Sequence, residues 1–501
     1  MKFKKSLFRI GLAIVLCLIF FQVTATRLDP DLGWHLRVGE EILESGEAPR
    51  FDTFSHTMPG HAWIDHEWLA DAALAFLEQN DLWLVAVIVF TLLAALPFAV
   101  WLWRISTVWE FLVLALAAAL MVNHIGVRAQ IITFFLFFLI LEILQKRQRF
   151  AFWFLPLLFL AWVNLHGGFI LGLAVLGIFV VFTDQRLKGS IVLGASFALT
   201  FANPYTWQIY QEIFSVLSSS DTARYIAEWQ SALVQPAMKS STTVAVFLIV
   251  GQLSFVAMFL WFSWHYRRRY SLPLLVTAVL LFFGYMKSLR NGPLFFVAAL
   301  PVLAQGAALL REEVARLRQG HEFTSRDLTV FKLFKLSAAV FILAFAFLLM
   351  WSPGLSRGYP VAAVNYLRAS MTPDEIGNLF NDYAWGGYLI QNLPSVKVFI
   401  DGRMPHWVDE NGYSAMAEYT SVFYPPRGAD TRFFEVAAEH SIQTILIRAA
   451  KCEETEFSTR AFFWTYSQKL AEIPCLIQAK AALTGWETVY KDRTAVILRK
   501  M

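Results

Sequence analysis

"IGLAIVLCLIFFQVTATRLDPDLGWHLRVGEEILESG", residues 10–46, changes character at Arg27. Residues 10–26 carry no charge, whereas the rest holds two arginines, two aspartates, a histidine and three glutamates. The apolar half, preceded by Lys2, Lys4, Lys5 and Arg9, has the length of a membrane span, for which a helix needs about 20 apolar residues. "VTA" ending at Ala25 is a tolerable cleavage site for a signal peptide, but the further apolar runs downstream favour an uncleaved first span. In the polar half, Leu32, Leu36, Ile42 and Leu43 oppose Asp31, His35, Arg37 and Glu40. That spacing predicts an amphipathic helix lying along the membrane surface. Asp31 and His35 are four apart and share a face, and Asp29 precedes the helix as a capping residue.

Outward from this stretch the pattern repeats. The 501 residues are 57% hydrophobic and 16% charged, too apolar to clothe a soluble surface. Apolar runs fall near 6–25, 82–103, 109–122, 131–145, 151–164, 169–183, 190–203, 243–264, 271–286, 294–310 and 329–351. They predict a membrane α-helical bundle of about eleven transmembrane helices. Several runs are short and imply tilted or partly re-entrant helices. With the N-terminus cytoplasmic, alternate loops carry the basic residues: Arg104; Lys146, Arg147 and Arg149; Arg186 and Lys188; Arg267, Arg268 and Arg269; Arg311, Arg316 and Arg318.

This orientation predicts a polytopic membrane domain, residues 1–351, with outer loops 27–80 and 203–242. An extracytoplasmic α/β domain, residues 352–501, follows. In the latter, 360–370, 432–441 and 461–473 read as helices, 396–402 and 442–448 as strands, and 487–500 as a hairpin. In the second outer loop, Pro204 reads as the start of a helix on the membrane surface, and Glu228 as either cavity-facing or a surface charge. Cys452 and Cys475 would pair or stay free, and no zinc-type cysteine spacing occurs. The net charge of +4 is spread over loops, and no basic, aromatic-interleaved patch points to nucleic acid.

The chemistry is expected on the outer face. Four of the ten histidines lie within 35–66, among Asp52, Asp65 and Glu67, a composition suited to acid–base work or cation binding. "HAWIDHEWLADAAL" (61–74) reads as a helix with His61 and Asp65 on one face, yet H-E-x-x-H is absent and zinc proteolysis is excluded. Arg128, Arg290 and Lys287 sit at outer span ends, where they either snorkel to the interface or bind phosphate, and His124, Asn164 and His166 lie at similar depth.

This arrangement resembles the GT-C class of membrane glycosyltransferases, most closely in "DPDLGWHLRVGEEILESGEAPRFDTFSHT" (29–57), which looks like that class's acidic first outer loop. Protein mannosyltransferases and oligosaccharyltransferase catalytic subunits share the architecture. "FNDYAWGGYLIQNLPSVKVFIDGR" (380–403) is distantly similar to the "WWDYGY" segment of the latter, through Asp382, Tyr383, Gly387, Tyr388 and Asp401, with Arg403 adjoining. It lacks the double tryptophan, and its residues also suit a plain glycine-permitted turn between strand and helix. "NHIGVRAQ" (123–130) has no carboxylate, so a divalent cation as in oligosaccharyltransferases has no support and no metal ligand is assigned.

The resemblance implies an inverting transfer of sugar from a polyprenyl-phosphate-linked donor to a hydroxyl of a glycan, lipid or protein. Asp31 or Asp29 would be the base, with His35 beside it. Arg128, Arg290, Lys287, His66 and His166 are the candidates for substrate and phosphate binding. A transporter of lipid-linked saccharide or a non-catalytic membrane assembly protein is the alternative. Nearly charge-free span interiors speak against ion-coupled transport.

Overall fold

The computed structural model describes residues 2–27, 29–146, 152–232, 242–318, 358–423, 432–449, 459–461, 464–466, 477, 481 and 485–501. The chain divides into two compact units.

The first unit comprises Met1–Arg27, Trp83–Thr206 and Tyr225–Gly354. Ten of the eleven apolar runs coincide with helices: Lys2–Thr26, Trp83–Arg104, Val108–Met121, Ala129–Lys146, Leu155–Leu165, Phe169–Val181, Arg186–Leu199, Thr242–His265, Leu272–Lys287 and Gly292–Arg318. The run at 329–351 lies outside the described residues. Four segments are long and apolar enough to cross a bilayer alone, namely Ser6–Thr26, Trp83–Arg104, Ala129–Lys146 and Leu289–Ala315. Five further apolar helices are shorter, so the count of about eleven crossings does not follow from length. Large side chains such as Phe8, Leu18, Leu84 and Phe283 are exposed along these helices, which suits lipid and not water. The chain is an integral membrane protein.

Helix ends in this unit are fixed by polar groups. Thr107 and Glu110 form a reciprocal cap at the start of Val108–Met121. Arg104 pairs with Glu142, which also takes Lys146 at 3.0 Å. The core is aromatic where three helices meet: Phe255, Phe259, Phe295, Phe296 and Tyr285 pack edge-to-face and stacked with ring centres 5.0–5.7 Å apart.

The second unit comprises Leu28–Leu82, Trp207–Arg224 and Leu355–Met501, so most of residues 27–80 groups with the C-terminal region. Its mixed sheet has strand order β1-β2-β6-β5, with β1 Asn378–Asn381, β2 Ile442–Arg448, β5 Trp486–Lys491 and β6 Ala495–Lys500. β1 and β2 are parallel, and the other neighbours are antiparallel. The apolar runs of β2 and β6 bury Ile445, Leu446, Val496, Ile497 and Leu498. The hairpin at 487–500 and the helices Val361–Ser370 and Phe433–Glu439 match the sequence reading.

Four local expectations differ. Residues 396–402 form no regular strand. Val398 makes isolated bridges to Ser55 and Leu379, while the Asn381 side chain takes Phe399 N–H at 2.9 Å and donates to Ile400 O at 2.8 Å, replacing a ladder. The helix expected over 461–473 is absent from its described part, where β3 Thr459–Ala461 pairs with β4 Trp464–Tyr466. His61–Glu67 is not helical, and the helix begins at Trp68. Phe51 bridges to Ala62 and His61 stacks on Trp407 at 4.8 Å, which holds that segment extended. Within 203–242 the helix starts at Gln208, not Pro204, because Asn203 Oδ1 accepts Tyr205 N–H at 2.8 Å and closes a turn.

Candidate functional site

In the second unit, the start of the Leu32–Ser45 helix separates the two aspartates. Asp29 Oδ1 accepts Asp31 N–H at 3.0 Å, and Asp29 O accepts Leu32 N–H at 3.1 Å, so Asp29 builds the turn. Asp31 is the N-cap residue by backbone position, but its side chain makes no capping bond. Its carboxylate instead lies over Gly402, where a Cβ would come 2.6 Å from Asp31 Cγ and collide with Oδ1. Gly387 makes a similar approach, since a Cβ there would be 2.7 Å from Pro30 O. The "GG" and "DG" pairs of the C-terminal region thus form the bed on which this turn rests. Tyr359 Oη donates to Asp29 O at 3.1 Å and stacks on Tyr388. Burial raises its phenol pKa, with Asp29 and Asp31 adding to the shift.

The same helix packs on Trp68–Gln79 through Gly39, where a Cβ would be 2.7 Å from that of Ala75. This contact brings His35 against two carboxylates. Its Nδ1 is 2.7 Å from Asp71 Oδ1 and its Nε2 is 3.4 Å from Glu67 Oε2. His66 Nε2 lies 3.5 Å from Glu67 Oε1. Asp65 and Asp71 are buried, and each keeps an Oδ2 with no hydrogen-bond partner. Burial pushes both carboxyls well above the usual range; Asp71 pushes Asp65 further, and Glu67 does the same to Asp71. His35, Glu67 and Asp71 offer ligand atoms all within 4.8 Å of one another, a one-imidazole, two-carboxylate set able to hold a divalent ion. Asp71 was not singled out from the sequence, and its spacing four residues after Glu67 is the only signal there.

Asp401 and Arg403 lie nearby in the chain but have another setting. Arg403 Nε and Nη2 donate to Asp401 at 2.8 and 2.7 Å, and Nη2 also donates to Asp52 at 2.8 Å. The guanidinium sits 4.7–5.2 Å from the ring centres of Phe54, Trp63 and Trp407, and the triad is buried. It joins the segment around Asp52 to the C-terminal region. Asp382 caps the turn after β1 by accepting Ala384 N–H at 3.0 Å, and Arg448 pairs with it at 2.8 Å. Tyr383 N–H donates to Tyr419 Oη at 3.1 Å.

In the first unit, Arg128 and Arg290 converge on one carboxylate. Arg128 Nη2 donates to Glu228 Oε2 at 2.8 Å, and Arg290 Nη1 donates to Glu228 Oε1. Against the upward push of burial, Arg290 and Arg128 hold the Glu228 carboxyl at about 2. Lys287 ends its helix exposed. His166 is buried in a helix-end network: Gly168 N–H donates to its Nδ1 at 2.9 Å and Thr133 Oγ1 lies 2.8 Å away, itself accepting Trp162 Nε1–H. Cations 160 or so residues apart in sequence gave no sign of sharing Glu228.

No protein-family model matches the chain, and no curated protein matches its sequence. Solved structures do. The oligosaccharyltransferase of Archaeoglobus fulgidus superposes with a TM-score of 0.57 at 13% identity, over 88% of this chain and 69% of that one. ArnT from Cupriavidus metallidurans bound to undecaprenyl phosphate superposes with a TM-score of 0.51 at 14% identity, over 98% of this chain and 97% of that one. The same protein without ligand gives 0.52. The chain therefore has the fold of the GT-C membrane glycosyltransferases.

Proposed function

We propose that the protein is a membrane glycosyltransferase that moves a sugar from a polyprenyl-phosphate donor to an acceptor hydroxyl on the outer face of the membrane. Asp31 is the base and Arg128 and Arg290 receive the phosphate. The observation that carries this reading is the setting of Asp31: a carboxylate excluded from capping and seated on a glycine, in a fold that ArnT uses with undecaprenyl phosphate.

In this mechanism Asp31 takes the acceptor's hydroxyl proton as the oxygen attacks the anomeric carbon. The bond from that carbon to the phosphate oxygen breaks, and the electron pair leaves with the polyprenyl phosphate, which the guanidinium pair stabilises. Attack from the face opposite the phosphate inverts the anomeric centre. Asp29 shapes the turn that presents Asp31, and His35 follows one helical turn after it. Purified protein incubated with a panel of polyprenyl-phosphate sugars should transfer or slowly hydrolyse one of them. A panel left intact under all acceptor conditions would overturn the proposal.

A further inference from the structure

The Glu228 carboxylate is built into the arginine site. It lies on a single turn, Ala227–Trp229, stitched to the segment that carries Arg290. Ser288 Oγ donates to Glu228 O at 3.2 Å, Leu289 N–H to Gln230 O at 2.9 Å, and Ser231 Oγ to Met286 O at 2.9 Å. Gln130, two residues beyond Arg128, donates to Arg290 O at 2.9 Å, and the Arg290 guanidinium stands 5.2 Å from the Trp229 ring centre. Five contacts thus fix one anion between two cations. A passing surface charge would need none of them, and a long side chain held only by an ion pair contributes little.

A fixed carboxylate changes what the pair prefers to bind. Two guanidiniums alone present a charge of +2, and with Glu228 the sum is +1. A sugar donor on a polyprenyl phosphate is a phosphodiester with one negative charge. The polyprenyl phosphate left after transfer is a monoester, whose second ionisation lies near pH 6, so it carries close to two charges at neutral pH. Repulsion by a neighbouring carboxylate weighs about twice as heavily on the dianion as on the monoanion. We propose, on the basis of the function above, that Glu228 is a specificity-determining counter-ion that narrows the arginine site's preference for the phosphate monoester product over the phosphodiester donor, so that the product leaves more readily. The Glu228 carboxyl titrates at about 2, so its charge is constant across physiological pH. Product release limits turnover in many enzymes, which gives such a device kinetic value.

The test is equilibrium binding of farnesyl monophosphate and its methyl phosphodiester to the full-length protein in detergent or nanodiscs. Relative to wild type, Glu228→Gln should shift the affinity ratio toward the monoester by on the order of tenfold, and Glu228→Asp should keep the wild-type ratio. An unchanged ratio in folded Glu228→Gln overturns the inference. If that variant does not fold, wild type supplies the measurement. At pH 8, where the monoester is a dianion, its affinity should exceed that of the phosphodiester by no more than about tenfold, and an excess of about a hundredfold, as expected of an unbalanced +2 site, would overturn the inference. Binding that is lost in Arg128→Gln while the Glu228→Gln ratio stays put defeats the counter-ion role alone. Failure of wild type to bind either probe defeats the phosphate-site reading with it.

Discussion

The carboxylate of Asp31 rests on Gly402, and all three of the nearest atoms to a Cβ built at that glycine belong to Asp31. A residue 371 positions away in sequence thus defines where the proposed base sits. Gly402→Ala must push Asp31 aside. Transfer should fall about a hundredfold, the scale of a misplacement near 1 Å. In an Asp31→Ala background the same change should have no further effect on thermal stability, because the clash is gone. Equal destabilisation in both backgrounds would show that Gly402 serves backbone packing and not the carboxylate.

The buried triad of Arg403, Asp52 and Asp401 makes a stability prediction. Arg403→Met leaves two buried carboxylates unpaired and should cost about 3–5 kcal/mol, read as a lower melting temperature and proteolysis within 28–82. Replacing all three charges together, with Asp52→Asn and Asp401→Asn added, should recover a large part of that loss. A triple variant as unstable as the single one would mean that the aromatic stacking on Arg403 dominates.

Asp65 and Asp71 set a pH dependence. Both carboxyls titrate well above the usual range in the folded protein, mainly through burial. An acid of this kind binds more protons folded than unfolded, so stability falls as pH rises from about 4, its unfolded value, to the raised folded value. Wild type should therefore melt at a lower temperature at pH 8 than at pH 5. Asp71→Asn should flatten that slope. A slope unchanged in Asp71→Asn would place the proton uptake elsewhere.

Much of the fold was legible in the sequence because a membrane span is a one-dimensional signal. Ten apolar runs became helices, nine of them within four residues of their expected ends, while the run at 294–310 continues to Arg318. Residues 442–448 and 487–500 were legible because their β-branched, apolar composition favours strands. The segment 396–402 has the same composition yet forms no ladder, since the Asn381 side chain captures its backbone. Site geometry was less legible. The sequence places Asp29 and Asp31 two residues apart without saying which one builds the turn, and the hydrogen bond from Asp31 N–H to Asp29 Oδ1 with the seating of Asp31 on Gly402 separates them. Asp71 meets His35 across 36 residues, and Glu228 meets Arg128 across 100. Neither pairing leaves a periodic trace that composition or spacing could reveal.

The most direct measurement of the central claim compares sugar transfer by wild type, Asp29→Asn and Asp31→Asn, with donor-lipid binding followed in parallel. The account predicts that Asp31→Asn binds the donor normally and transfers about a thousandfold more slowly. Asp29→Asn, whose amide oxygen can still accept Asp31 N–H, should retain most of its activity. Wild-type turnover by a folded Asp31→Asn protein would contradict it.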